Sequence, residues 1–280
     1  MAKVVVLGAG TMGAGIAQVV ATSGHQVYLK DINQEVVDKG YQGIAERLQR
    51  QVQKGKLTES EQGEILARIQ PCVQWPDDQF DFIIEAVIEK MEVKKQVFQE
   101  MEEVATSQTI IATNTSSLSV TELAAQLTHR ERAIGLHFFN PAPIMPLVEM
   151  IPTAITSEET LVRSKEFITS LNKKPIQVQD SPGFVVNRLL VPFINEAAFL
   201  LMEGTASAED IDEGMKLGAN HPIGPLRLAD MIGIDVVLFV METLFEELGE
   251  DKYRPCPLLR QMVRAGKLGR KSGEGFFTYE

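Results

Sequence analysis

Residues Val4 to Leu7 are a short β-branched, apolar run that ends in Gly8-Ala9-Gly10-Thr11-Met12-Gly13. A strand buried in a parallel sheet has this composition. Beyond the glycines, Met12, Ile16, Val19 and Val20 recur at helical spacing until Gly24, and Gln26 to Asp31 reads as a second strand. Strand, glycine turn, helix and strand in the first 31 residues make a βαβ unit, which commits the start of the chain to a parallel α/β sheet.

Each glycine of the GxGxxG turn has a physical task. Gly8 permits the tight turn, Gly10 lets a pyrophosphate approach the backbone, and Gly13 lets helix and strand pack closely, with the helix N-terminus, Thr11 and Met12, facing the phosphates. Asp31, at the end of the second strand, is placed to accept hydrogen bonds from a ribose 2′-hydroxyl and to repel a 2′-phosphate. The following Ile32-Asn33-Gln34 brings no arginine. The context predicts a dinucleotide site that prefers NAD to NADP. The plainer alternative is a tight turn followed by a loop-capping acid.

Further patterns extend the sheet. Phe82 to Ala86, Thr109 to Thr113 and Ala133 to His137 read as strands, with helices near 91–105 and 119–128 between them. The second helix opens on Ser119-x-x-Glu122, a capping box. Leu147 to Ile151 and Ile176 to Gln179 read as later strands around a helix that begins near Thr156-x-x-Glu159. Earlier in the chain, a helical pattern from Val36 to Val52 and a shorter one through Ile65, Leu66 and Ile69 meet at Lys54-Gly55-Lys56 as a helical hairpin. The first of these is polar on its outer face and is expected to stand off the sheet. After Ser181-Pro182-Gly183 the pattern is helical, over Phe184 to Gly204, Ser207 to Leu217, Pro225 to Leu248 and Pro257 to Ala265. For 280 residues, against about 150 per domain, the expectation is two domains. Residues 1–182 form a Rossmann-type, doubly wound, mostly parallel sheet with the hairpin inserted, and residues 183–280 form an all-helical domain.

The formal charge of −11 comes without any long basic run, which argues against a nucleic-acid or anionic-membrane surface and leaves room for a small anionic ligand. Cys72 and Cys256 lie far apart with no metal-ligand spacing, so they read as thiols in a reducing compartment, and no metal is expected. The N-terminal apolar run is too short for a signal peptide, and no run approaches a membrane span. The expected location is the cytoplasm.

Four histidines can be weighed one by one. His25 follows Gly24 in a turn and His129 lies among Thr128, Arg130 and Glu131, so both read as solvated; His221 precedes Pro222 in a loop, where a structural role outweighs a catalytic one. His137 ends an apolar strand and leads into Phe138-Phe139-Asn140-Pro141. Ligands of open α/β sheets bind beyond the carboxyl ends of the strands, and an unperturbed imidazole titrates near 6.5, so this side chain is the candidate general base. Glu149, a lone acid in Pro146-Leu147-Val148-Glu149-Met150, is either its partner or an edge-strand charge facing water. Asn114-Thr115-Ser116-Ser117 ends another strand at the same rim, and Asn187 lies early in the first long helix of the second domain, towards the domain junction. No GxSxG elbow supports a serine nucleophile.

Taken together, GAGTMGAGIA, IEAVIE, NTSSLSV, GLHFFNPAPIMPLVE, DSPGFVVNRLL, GPLRLADMIGID and GRKSGEGFF resemble the 3-hydroxyacyl-CoA dehydrogenase family over essentially the whole chain. The compact length is similar to its single-function bacterial members. The resemblance implies NAD-dependent interconversion of (S)-3-hydroxyacyl-CoA and 3-oxoacyl-CoA, with short substrates such as 3-hydroxybutyryl-CoA and acetoacetyl-CoA, in fatty-acid or butyrate metabolism. It implies His137 as the acid or base at the C3 oxygen, Glu149 as its orienting carboxylate, and Ser116 and Asn187 as polar contacts to substrate and imidazole. To the glycine loop and Asp31 it adds Glu89, Lys94, Asn114, Ser116, Asn140 and Lys271 as cofactor contacts. It implies Lys54 as a coenzyme A contact, with Arg47 at a companion position where some relatives carry serine, and a homodimer formed through a helical domain that closes over the active site.

Two rivals remain at this level. A gulonate-type dehydrogenase of a free 3-hydroxy acid shares the HxFNP and Glu arrangement, and a non-catalytic NAD-binding redox sensor could keep the fold. Lys54 and Arg47 discriminate the first, and the intact His137 and Glu149 weigh against the second.

Overall fold

In β1 (Lys3–Leu7), Val4 and Val6 enter one apolar cluster while Val5 and Leu7 enter another, so the strand is covered on both faces. That is why its sequence is a continuous apolar run instead of an alternation. The computed structural model describes residues 1–279. They fall into two compact units, one from Met1 to Asp180 and one from Ser181 onward.

In the first unit, α1 (Thr11–Thr22), β2 (Gln26–Lys30), α2 (Gln34–Gln53), α3 (Glu59–Ala67) and β3 (Ile69–Cys72) follow β1. Next come β4 (Phe82–Glu85), α4 (Met91–Val104), β5 (Ile110–Thr113), α5 (Val120–Ala124), β6 (Ala133–Phe138), β7 (Leu147–Pro152), α6 (Glu158–Ser170) and β8 (Lys174–Gln177). They build an eight-stranded sheet in the order β3-β2-β1-β4-β5-β6-β7-β8. Every described pairing is parallel except β6 with β7. This is the doubly wound, mostly parallel sheet expected from the sequence.

In this unit, local readings differ in three places. Ile69 does not continue α3; it opens β3, which pairs with β2 along one side only, and an edge position tolerates Pro71. α2 does not stand away from the body. Val37, Gly40, Ile44 and Leu48 form a buried stripe, and a Cβ on Gly40 would come within 2.5 Å of the Ala9 carbonyl oxygen. α5 is only five residues long. Ser119 caps it by accepting from Glu122 N, whereas the Asp180 carboxylate takes the N–H groups of Val120 and Thr121, and Glu122 pairs with Lys95 at 2.8 Å. α6 begins near Thr156 as expected, with Ser157 as its cap.

The second unit contains α7 (Val186–Met202), α8 (Ala208–Gly218), α9 (Pro225–Ile232), α10 (Ile234–Leu248) and α11 (Pro257–Arg264). The single helix expected over 225–248 is broken at Gly233, whose φ of 105° a side-chain-bearing residue rarely adopts. Its core joins Val191, Ile194 and Ala198 to Val237, Met241 and Leu244 and to Leu259. Asp230, 1% exposed, accepts hydrogen bonds from Phe276 N, Phe277 N and Tyr279 Oη, which ties the glycine-rich C-terminal segment to α9.

Candidate active site

β1, β2, β4, β5 and β6 all run in one direction, so their carboxyl ends share one edge of the sheet. The chain leaves β1 for β2 on one side and reaches β4 on the other, the switch point where open α/β sheets bind ligands.

The glycine loop lies at that point. Gly8 has φ +97°, and a Cβ there would stand 2.5 Å from the Ala86 carbonyl oxygen; one on Gly13 would collide with the Gly8 carbonyl. A Cβ on Gly10 would meet nothing within 4 Å, so this residue borders open space. Gly10 is also the N-cap of α1, and no side chain caps the first-turn N–H groups. Asp31 Oδ2 accepts from Ala9 N at 2.7 Å and Oδ1 from Ile32 N at 2.7 Å, which fixes the carboxylate beside the loop. Open backbone donors beside a fixed carboxylate fit the diphosphate and ribose of a dinucleotide.

At β6 the antiparallel turn of the sheet brings His137 directly opposite Glu149 on β7. Nδ1 lies 2.8 Å from Glu149 Oε2. Glu149 is 0% exposed because β8 covers the far side of β7, so the alternative of an edge charge facing water is wrong. The Phe139 ring lies 4.4 Å from the imidazole, centroid to centroid. Asn114 Oδ1 accepts from Phe138 N at 2.8 Å and joins the end of β5 to that of β6.

Between these parts runs a buried charged network. Glu85, 0% exposed at the last position of β4, accepts from Lys94 Nζ at 2.6 and 2.8 Å, from Thr113 Oγ1 at 2.7 Å and from Val87 N at 2.6 Å. Lys94 also pairs with Glu89 at 3.2 Å. Glu89 Oε1 in turn accepts from Thr115 Oγ1 and Ser116 N, both at 2.7 Å, and from Ser116 Oγ at 3.2 Å. Burial pushes the Glu89 carboxyl up, but the Lys94 ammonium and these hydrogen bonds outweigh it and hold the group below its ordinary value. Lys94 is 1% exposed and therefore reaches the rim through Glu89. Sequence reasoning missed Glu85, although one acid inside the apolar run Phe-Ile-Ile-Glu is the same signal that singles out Glu149.

Of the remaining expected residues, Asn140 is exposed in the connection after β6. Arg47 is on α2, and Lys54 is the C-cap residue immediately after the helix ends at Gln53. Arg47 Nε donates to Gln18 Oε1 at 2.8 Å, and burial, assisted by Arg50, lowers its guanidinium from the ordinary value; Lys54 is exposed. In the second unit, Asn187 is in the first turn of α7 and Lys271 donates to both Asp235 oxygens at 2.5 and 2.6 Å.

The other histidines have structural surroundings. His25 is not simply solvated: Nδ1 accepts from Ala2 N at 3.0 Å and Nε2 meets Ser170 Oγ at 2.9 Å. His129 is exposed beside Glu131, and exposed His221 lies against the Phe193 ring. Among the described residues no cluster of three or more His, Cys, Asp or Glu could hold a metal.

Comparison with known proteins adds independent findings. The profile of the 3-hydroxyacyl-CoA dehydrogenase NAD binding domain matches residues 3–181, and that of the family's C-terminal domain matches residues 183–279. A 3-hydroxybutyryl-CoA dehydrogenase of Clostridioides difficile is 49% identical over 278 residues, 99% of each chain. The human mitochondrial hydroxyacyl-coenzyme A dehydrogenase is 42% identical over 99% of this chain and 91% of its own length. The crystal structure of (S)-3-hydroxybutyryl-CoA dehydrogenase from Ralstonia eutropha superposes with a TM-score of 0.95 at 49% identity, covering 100% of this chain and 99% of that one.

Proposed function

This chain belongs to the 3-hydroxyacyl-CoA dehydrogenase family, an NAD-dependent oxidoreductase by that membership, and from this premise we propose how its residues carry out the reaction on short substrates of the 3-hydroxybutyryl-CoA class. The observation that carries the reading is the buried His137–Glu149 pair at the carboxyl edge of the sheet, with Nδ1 and Oε2 2.8 Å apart.

Bound NAD supplies the acceptor for the hydride that leaves C3 of the (S)-3-hydroxyacyl thioester. His137 Nε2 takes the proton of the 3-hydroxyl as the alcohol becomes a ketone, and returns it in the reverse direction. The carboxylate of Glu149 accepts from Nδ1–H, which fixes the tautomer and ring orientation and stabilises the imidazolium that forms. Ser116, held by Glu89, offers its hydroxyl to the reacting oxygen and the cofactor, and Asn187 supplies a further amide to the substrate side. Gly8, Gly10, Thr11, Met12 and Gly13 bind the diphosphate, Asp31 the ribose, and Asn114, Asn140, Glu89, Lys94 and Lys271 are further cofactor contacts, Lys94 acting from beneath the rim. Lys54 and Arg47 receive the nucleotide end of coenzyme A through charge-assisted hydrogen bonds.

The reading extends to a cytoplasmic homodimer active in fatty-acid or butyrate metabolism. Leu189, Val236, Phe239 and Phe245 leave apolar surface exposed on the second unit, which supports self-association, and light scattering measures it. No described helix is long and apolar enough to cross a membrane. The deciding experiment follows NADH oxidation with acetoacetyl-CoA beside free acetoacetate. Turnover of the thioester alone is expected, and equal turnover of the free acid would refute the coenzyme A assignment.

A further inference from the structure

Glu85 is fully buried, pairs with Lys94 Nζ at 2.6 Å, and has no part in the reaction as described. A carboxylate in such a place is stable only when its oxygens are paired and hydrogen-bonded. Its partners do more than neutralise it, because they form two arms that converge on one turn. In the first arm, Lys94 bridges Glu85 and Glu89, and Glu89 accepts from Thr115 Oγ1 and from the backbone N–H and hydroxyl of Ser116. In the second, Thr113 Oγ1 donates to Glu85 Oε2 at 2.7 Å and accepts from Thr115 N at 3.1 Å. Thr113 is also the lateral neighbour of Glu85 in the β4–β5 ladder, so the sheet register sets the root of both arms.

We infer that Glu85 is a positioning residue for Ser116, acting through Lys94–Glu89 on one side and Thr113–Thr115 on the other. The inference rests on the proposed role of Ser116 for its catalytic consequence, but not for its structural one. Without the Glu85 charge, Lys94 is left with Glu89 as its sole carboxylate partner in the network. Glu89 is then drawn towards the ammonium and away from the 115–116 turn.

Two readouts on Glu85→Gln test this. Amide hydrogen exchange, measured by NMR on the intact protein, is expected to accelerate about tenfold or more at Thr115 and Ser116 while the β1 amides of Val5 and Val6 stay protected. Uniform acceleration across the sheet, or none at the turn, overturns the inference. In a double-mutant cycle, Glu85→Gln should lower kcat/KM for acetoacetyl-CoA in the wild-type background and have almost no further effect in Ser116→Ala. Additive losses overturn it. If Ser116→Ala retains wild-type kinetics, the Ser116 reading fails, and the exchange pattern still decides whether Glu85 positions the turn. Should Glu85→Gln fail to fold, Thr113→Val, which cuts the second arm without removing a charge, is judged by exchange at Ser116, whose N–H donates to Glu89 and not to Thr113, and by the same double-mutant cycle; no acceleration at Ser116, or additive losses, overturns the inference.

Discussion

Replacing Glu149 by Gln keeps the side-chain volume at a site with no exposure and removes only the negative charge facing His137. The imidazolium that forms as substrate oxygen loses its proton then lacks its counter-charge. For charges centred about 4 Å apart at an effective dielectric near 20, the lost attraction is about 4 kcal/mol when proton transfer is complete. A transition state with about half the charge developed loses about 2 kcal/mol, and at 1.36 kcal/mol per tenfold these limits bracket a fall of roughly 30-fold to 10³-fold in kcat. The Gln amide can also donate to Nδ1 and impose the wrong tautomer, which moves the result towards the larger figure. The assay is single-turnover NADH oxidation at saturating acetoacetyl-CoA, with NADH affinity measured separately by fluorescence titration and the fold checked by near-UV circular dichroism. The expected signature is a large loss in the chemical step with NADH affinity nearly unchanged. A rate within about threefold of wild type, well below the bracket worked out above, or an equal loss in NADH affinity, would refute the pairing as the source of catalysis.

Asp31→Ala should weaken NAD(H) and relax discrimination against NADP(H), read as the ratio of kcat/KM for the two cofactors; a wild type that already prefers NADPH contradicts the role of this carboxylate. Lys54→Ala should raise KM for acetoacetyl-CoA more than it lowers kcat, by an amount that shrinks with added salt, and should leave the KM of a short acetoacetyl-pantetheine thioester unchanged. His25 has its pKa lowered by burial and the nearby N-terminal charge, against an opposing pull from Asp81. The fold therefore favours the neutral ring, and its contribution is complete above the unfolded value near 6.5 and lost as pH falls below it. Thermal unfolding of wild type and His25→Gln should differ at pH 8 and converge towards pH 5.5; a gap that widens on acidification contradicts the sign.

What could be read from the sequence was whatever is written in consecutive residues. β1, the glycine turn and α1 announce themselves because a strand buried on both faces must be apolar throughout and a turn against a helix must be glycine. β3 stayed hidden because Ile69-Gln70-Pro71-Cys72 pairs along one side only, and its outer side chains carry no periodicity. The break at Gly233 was invisible for the opposite reason, since apolar helical spacing continues across it on both sides. His137 and Glu149 could be nominated singly as polar residues ending or interrupting apolar strands, but Glu149's burial depends on β8, which lies about 25 residues further on. The Glu85 network is further still from local pattern, because its members come from two strands, a helix and two loops.

The antiparallel pairing of β6 with β7 has an evolutionary corollary. His137 and Glu149 meet because they are rungs of one ladder, so the length of chain that loops between them is not what sets their distance. Lengthening or shortening the 139–146 connection should be tolerated so long as the rungs stay matched. A slip of one rung turns the acid to the opposite face of the sheet. Parity is thus the heritable constraint, and a homologue with a differently sized connection keeps the pair if its acid falls on the correct alternate position of the returning strand.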